Sequence, residues 1–349
     1  WADLKNLADD DPFGKPYKVI MKKLGGSTME SQMEPQEVEN AIDKLFPQFP
    51  LAAQPYIQEV GEVPTLSTAE IDAAIERCKM SKWKAPGPDS IPNAVWCAIH
   101  EVAPLALFHV LNGVMQEGVF VDRWKKARLA LIPKPEKPPG HFRPLCLLDT
   151  LNKLFERIVV NRLDDHLVRK RILSNCQYGF RAERSTADAT LKLKTIAARA
   201  IKKRQFCVAV SLDIKNAFNS MPWPKITDAL RHAKVPAYLQ NILGNYLDCR
   251  WIEAETCGGT VRRAVTAGVP QGSVLGPTLW NIGFNGILKL RLPPGVQLLC
   301  YADDTLVVAC ADAVDEVQRM VNKALDTLTK WIQLAELELA VDKTEVMLF

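Results

Sequence analysis

Gln297-Leu298-Leu299-Cys300-Tyr301-Ala302-Asp303-Asp304-Thr305-Leu306-Val307-Val308-Ala309-Cys310 is two apolar runs joined by a pair of aspartates. Residues 297–302 and 305–310 read as strands, and Asp303 and Asp304 fall at the tip between them. Turns favour Asp, so alone the tip reads as a turn as readily as a site. A second stretch changes the weighing. Phe206-Cys207-Val208-Ala209-Val210-Ser211-Leu212 is a strand apolar on both faces, and it ends on Asp213. A carboxylate there either caps the next turn or is held by a cation, because an unpaired buried charge is costly. Hard oxygen donors at the ends of buried strands suit Mg²⁺. Two such ions about 3.5–4 Å apart can activate an attacking hydroxyl and stabilise a leaving phosphate oxygen.

Outward from these strands the pattern is mixed. Residues 1–65 are irregular and proline-containing, with one helical stretch near 37–46. Ser67-x-x-Glu70 has the form of a capping box and predicts a helix to about 80. Lys84-Ala85-Pro86-Gly87-Pro88-Asp89 must be a loop, since two prolines and a glycine break any regular ladder. A long amphipathic helix fits 92–116, a short strand fits 127–132, and helical spacing returns at 150–168 and 185–201. Beyond Asp213, helices are expected at 224–233 and 236–248. A hairpin over 251–265 turns at Gly258-Gly259. Further helices are expected at 274–290 and 313–336, and a last strand at 345–349. The order predicts an α+β fold with a mainly antiparallel sheet backed by helices. Gly268-Val269-Pro270-Gln271-Gly272-Ser273 precedes one of these helices. It is either a rigid turn capped by Ser273 or a loop that a base or sugar approaches closely.

The 349 residues can bury a substantial core. With 48% hydrophobic and 24% charged residues, bulk disorder is excluded. No stretch approaches the roughly 20 apolar residues of a membrane span, and no membrane partner is expected. Nine scattered cysteines with no CxxC pair read as reduced core thiols of an intracellular protein, not as a zinc or disulfide framework. The net charge is only +4, but the cations cluster at Lys125-Lys126, Arg169-Lys170-Arg171, Lys202-Lys203-Arg204 and Arg262-Arg263. Such clusters are solvated helix ends or, on one face, a phosphate track.

Taken together, Asp213-Ile214-Lys215-Asn216-Ala217-Phe218, then Gly268-Val269-Pro270-Gln271-Gly272-Ser273-Val274-Leu275-Gly276-Pro277, then Tyr301-Ala302-Asp303-Asp304 resemble the three central motifs of reverse transcriptases, in order. The loop at 84–89, Ile132-Pro133-Lys134, Phe142-Arg143-Pro144-Leu145, Gln177-Tyr178-Gly179-Phe180-Arg181 and Lys343-Thr344-Glu345 resemble the pattern of non-LTR, LINE-type retrotransposon polymerases. Asp11-Pro12-Phe13-Gly14-Lys15-Pro16-Tyr17-Lys18 is similar to the linker before that polymerase in arthropod elements. The resemblance implies a right-hand polymerase: 1–65 an N-terminal extension or linker, 66–205 fingers, 206–349 palm, thumb absent. Trp1 and Phe349 read as cut ends of a longer polypeptide.

The resemblance also implies roles. Asp213, Asp303 and Asp304 are the catalytic carboxylates and hold two Mg²⁺, with Mn²⁺ as a substitute. Phe218 screens the sugar against a ribose 2′-hydroxyl, unless it is only a core aromatic. Asn216, Ala217 and Gln271 bind substrate beside it. Lys134 and Arg143 hold the triphosphate, Arg by bidentate pairing and Lys as a point charge, or are plain surface cations. Lys343 protonates departing pyrophosphate as a general acid, or is a solvated strand-edge lysine. Two positions depart from the pattern: Leu145-Cys146 stands where Ile-Ser is frequent, and Ala340 where Asn is. The implied function is RNA-directed DNA polymerase, a nucleotidyltransferase acting with an RNA template, a DNA primer and dNTPs, in a nuclear setting. The alternatives are an RNA-dependent RNA polymerase, which Phe218 argues against, an intron maturase, and a decayed or domesticated nucleic-acid-binding remnant.

Overall fold

The structure, a computed structural model, describes residues 30–50, 61–82, 84–135 and 137–349. The segment 11–18 lies outside the described residues. In chain order come α1 (Pro35–Leu45), α2 (Thr68–Lys79), α3 (Asn93–Val102), α4 (Pro104–Glu117), β1 (Lys126–Pro133) and β2 (Phe142–Leu147). Then follow α5 (Thr150–Arg169), α6 (Thr186–Lys202), β3 (Phe206–Leu212), α7 (Ala217–Ser220), α8 (Trp223–His232) and α9 (Ala237–Leu247). The rest are β4 (Arg250–Thr256), β5 (Gly259–Val265), α10 (Gly276–Phe284), β6 (Val296–Tyr301), β7 (Asp304–Ala311), α11 (Val314–Leu334) and β8 (Glu345–Leu348). No single helix among them is long and apolar enough to cross a membrane.

The capping box at Ser67 forms as read. Its hydroxyl accepts the Glu70 N–H, and the Glu70 carboxylate accepts the Ser67 N–H at 2.8 Å. Ser185 and Asp188 repeat the device at α6. Three expectations need correction. The single helix over 92–116 is two helices, α3 and α4, bent by 115° at Ala103. Pro104 lacks the N–H that would continue the ladder and pushes Ala103 out of the helical region, so it starts a new helix instead. The helix over 274–290 is shortened to α10 and a 3₁₀ turn, Ile287–Lys289. Finally, no strand is expected over 142–147; β2 forms there as an edge strand, where the N–H that Pro144 lacks does little harm.

Two four-stranded sheets result. The first has the order β2-β1-β4-β5, antiparallel except where β1 runs parallel to β4 at Lys126↔Trp251 to Arg128↔Glu253. Helix α1 covers it, with Val38, Ile42 and Phe46 packed on Leu129, Leu131 and Ile252. Residues from 126–147 and from 250–265 therefore share one sheet. The second sheet, β6-β7-β3-β8, is wholly antiparallel. Its strands alternate faces with period two. Cys207, Ala209, Leu299 and Val308 meet Ile196, Ala197 and Ala200 of α6. Val210, Leu212, Leu298 and Val307 face the main core, which includes Val317, Val321, Ala324 and Leu328 of α11. Each such buried Leu, Ile or Val contributes about 1.5–3 kcal/mol, and this sandwich makes the second sheet a stiff base for the loops at its end.

Candidate active site

The register of the second sheet assembles the site. Leu212 pairs with Thr305, so Asp213 leaves β3 beside the start of β7. Tyr301 pairs with Asp304, so Ala302 and Asp303 form a two-residue turn between β6 and β7. The three carboxylates thus share one sheet end. Charge confirms their proximity. Burial first, then the charges of Asp304 and Asp213, push the Asp303 carboxyl up to about 6. Burial and Asp213 raise Asp304 in the same sense.

Lys343 meets them from the chain's far end. The Asp213 carbonyl accepts the Ala340 N–H at 2.8 Å, Ile214 bridges Leu339, and the 3₁₀ turn Val341–Lys343 carries the ammonium onto the Asp213 carboxylate. That hydrogen bond holds Lys343 above the usual lysine range. Lys134 lies at the end of β1. Loss of solvation, then the positive charges of Lys343 and Arg143, lower it. Lys134, Arg143, Lys343 and Asp213 thus feel one another's fields, although residues 134 and 143 come from the first sheet.

The Gly268–Gln271 loop is stitched to α7. The Phe218 carbonyl accepts the Val269 N–H at 2.6 Å, and the Met221 carbonyl accepts the Gly268 N–H at 2.7 Å. The Gln271 carbonyl accepts the Cys146 N–H of β2 at 2.7 Å. The Phe218 ring stacks on Trp280, centroids 5.5 Å apart at 24°, and meets Phe180 edge-on at 5.7 Å. Phe218 and Gln271 line a cleft of about 640 Å³ with Phe180, Lys84, Lys153 and Arg157 on its other walls. Asp213, Asp303 and Asp304 are not on that wall. Phe218 is both a packed aromatic and a cleft residue. Ala217 is buried, and the Asn216 side chain donates to the Lys44 carbonyl at 2.8 Å, closing the end of α1.

Two site-shaping residues were not singled out from the sequence. Glu156, fully buried on α5, accepts the Val274 and Leu275 N–H groups at 2.5 and 3.0 Å and so anchors the entry to α10. Gln177, also buried, hydrogen-bonds the backbone of Ala302 in the turn that carries Asp303. A glutamate amid the apolar Leu154, Phe155, Ile158 and Val159 was a legible signal. Gln177 offered none beyond its place in a quoted motif.

The donor set fits a hard divalent cation by chemistry: three carboxylates, of which Asp303 is pushed towards protonation first by burial and then by the charges of Asp304 and Asp213, a cost that a bound cation would relieve. As placed, no group of three His, Cys, Asp or Glu among the described residues is gathered tightly enough to hold a metal, and Lys343 sits on Asp213. Asp213, Asp303 and Asp304 would hold such an ion only with the Asp213 carboxylate released from the Lys343 ammonium.

Comparison with known proteins identifies the family. The family described as "Reverse transcriptase (RNA-dependent DNA polymerase)" matches residues 132–348. A probable RNA-directed DNA polymerase from transposon BS of Drosophila melanogaster is 29% identical over 95% of this chain and 38% of its own length. The Pol polyprotein from type-1 retrotransposable element R1 of Bradysia coprophila is 28% identical over 82% of this chain and 28% of its own. The polymerase from the mobile element jockey of Drosophila melanogaster is 26% identical over 90% of this chain and 36% of its own. The chain spans well under half the length of these curated relatives. With the family match covering more than half of its residues, the chain belongs to the reverse transcriptase (RNA-dependent DNA polymerase) family, in its LINE-type, non-LTR branch.

Proposed function

We propose that the chain is the catalytic part of an RNA-directed DNA polymerase that transfers a nucleotidyl group from a dNTP to a primer 3′-hydroxyl on an RNA template. The observation that carries the reading is the β3–β7 register, which sets Asp213 beside Asp303 and Asp304. Two Mg²⁺ (or Mn²⁺) held by these carboxylates would activate the attacking hydroxyl and stabilise the departing phosphate oxygen. Lys343, whose hydrogen bond to Asp213 favours its protonated form, would hand a proton to pyrophosphate. Lys134 and Arg143 draw the triphosphate towards the same point by charge. Gln271 and Phe218 receive the base and sugar, the Phe218 ring occupying the space a 2′-hydroxyl needs. In this reading residues 66–205 are fingers and 206–349 palm, joined through the shared first sheet, and the parent element works in the nucleus.

Primer extension on an RNA template with Mg²⁺ and dNTPs tests the proposal. The chain should extend the primer, and Asp213→Ala should abolish the product. Extension that survives Asp213→Ala would remove the site assignment. Template binding without extension in the parent chain would favour a nucleic-acid-binding remnant, a reading that the Lys343–Asp213 pair keeps in play.

A further inference from the structure

The turn that carries Asp303 does not hold its own shape. Ala302 has φ 59°, the left-handed region that a residue with a Cβ avoids. It is also buried, so its N–H and C=O have no water to turn to. Both are met by one side chain. The Gln177 Oε1 accepts the Ala302 N–H at 3.0 Å, and the Gln177 Nε2 donates to the Ala302 carbonyl at 3.0 Å.

The amide is itself fixed. Its Oε1 also accepts the Gly179 N–H at 2.9 Å. Residues 176–178 lie along the free edge of β6: Cys300 N–H donates to Cys176 at 2.8 Å, and Tyr178 N–H donates to Cys300 at 2.7 Å. At Gly179 the backbone presses so close to the turn that a Cβ would stand 2.2 Å from the Ala302 nitrogen. The Gly179 carbonyl in turn accepts the Asn281 amide of α10 at 2.9 Å. The Oε1 accepts two N–H groups and the Nε2 donates to one carbonyl, so only one orientation of the amide satisfies them, and a glutamate or a shorter amide cannot reproduce the pair.

We infer that Gln177 is a positioning residue: it imposes the left-handed conformation on Ala302 and thereby aims the Asp303 carboxylate. The inference rests on the proposed role of Asp303. A residue that merely packs would affect stability alone, whereas a positioning residue affects how tightly the turn holds a divalent ion and how fast chemistry follows.

The test uses the 349-residue chain, Mn²⁺ titration followed by electron paramagnetic resonance, and primer extension. Gln177→Leu keeps the volume and removes both hydrogen bonds. It should raise the Mn²⁺ half-saturation and lower kcat by about tenfold or more, with KM for primer–template changed by less than about twofold. Adding Ala302→Gly should restore part of both losses, because glycine adopts positive φ without a clamp. Gln177→Glu, which keeps the length and the acceptor but loses the donor, should also raise the Mn²⁺ half-saturation and lower kcat, and it carries the test if Gln177→Leu does not fold. Parental Mn²⁺ affinity and kcat in a folded Gln177 variant would overturn the inference, as would an Ala302→Gly double variant with no recovery. If Asp213→Ala and Asp303→Ala also retain activity, the catalytic reading falls; if only the Gln177 variants do, that reading stands and the clamp alone is lost.

Discussion

Among the described residues two hairpins are closed by two residues, and they are built differently. The β4–β5 hairpin turns at Cys257-Gly258 on the protein surface, and its positive φ falls on Gly259 at 123°. The Thr256 hydroxyl donates to the Gly259 carbonyl, and from outside the hairpin the turn receives one backbone bond, the Cys257 N–H to the Met33 carbonyl at 3.2 Å, with no side-chain clamp. The β6–β7 hairpin turns at Ala302-Asp303, places its positive φ on an alanine, and is finished by Gln177 from another part of the chain. A turn that only connects can use glycine and water. A turn that must present a carboxylate in one direction is supported from outside, and local preference is overruled there.

Four experiments would break or sharpen the contrast. The largest effect is expected for Asp303→Asn, with a loss of at least about a thousandfold in primer extension; the matching surface change, Cys257→Ser, should leave the rate unaltered. Next, Phe218→Ala should raise rNTP use relative to dNTP by about tenfold or more, measured in single-nucleotide extension. Trp280→Leu, which removes the ring behind it, should shift the ratio in the same direction by less. An unchanged ratio in both would make Phe218 purely a core residue. Third, Gly179→Ala forces a Cβ into the Ala302 backbone and should cost about 2–3 kcal/mol in urea denaturation. Gly259→Ala, where space is open and only the φ is adverse, should cost about 1–2 kcal/mol.

The smallest effect concerns Asp164, away from both turns. Burial pushes its carboxyl up to about 6 from 3.8, despite the hydrogen bond from Thr278. The folded state therefore binds the proton more tightly than the unfolded one, and stability falls as pH rises between about 4 and 6. Asp164→Asn should be more stable than the parent above pH 6, with the gain vanishing below about pH 4. A pH-independent difference in melting would refute that account.

Much of this was legible from residue order. The apolar runs at 206–212, 297–302 and 305–310 gave the three central strands within a residue or so, since strands buried on both faces are written in unbroken Val, Leu, Ala and Cys. Ser67 and Ser185 announced their helices through local hydrogen bonds. What stayed hidden was long-range. Phe142-Arg143-Pro144-Leu145-Cys146-Leu147 does not read as a strand, although its proline suits an edge position, and the parallel pairing of β1 with β4 has no local signature. Nor does a glutamine at 177 declare that its partner is an alanine at 302. In the same way, the motif order pointed to Asp213, Asp303 and Asp304, but not to the ammonium of Lys343 lying on Asp213.

The clamp also has a history in time. Gln177 and Ala302 are 125 residues apart in sequence. At roughly 5–20 residues per second of synthesis, a nascent chain waits on the order of 6–25 s between making the one and making the other. Until then the β6 edge along which residues 176–178 lie does not exist, so the glutamine meets its turn late. The β6–β7 hairpin is thus expected to be among the last pieces to acquire native shape, and a chain caught before that moment would be folded in most of its core yet lack the proposed site.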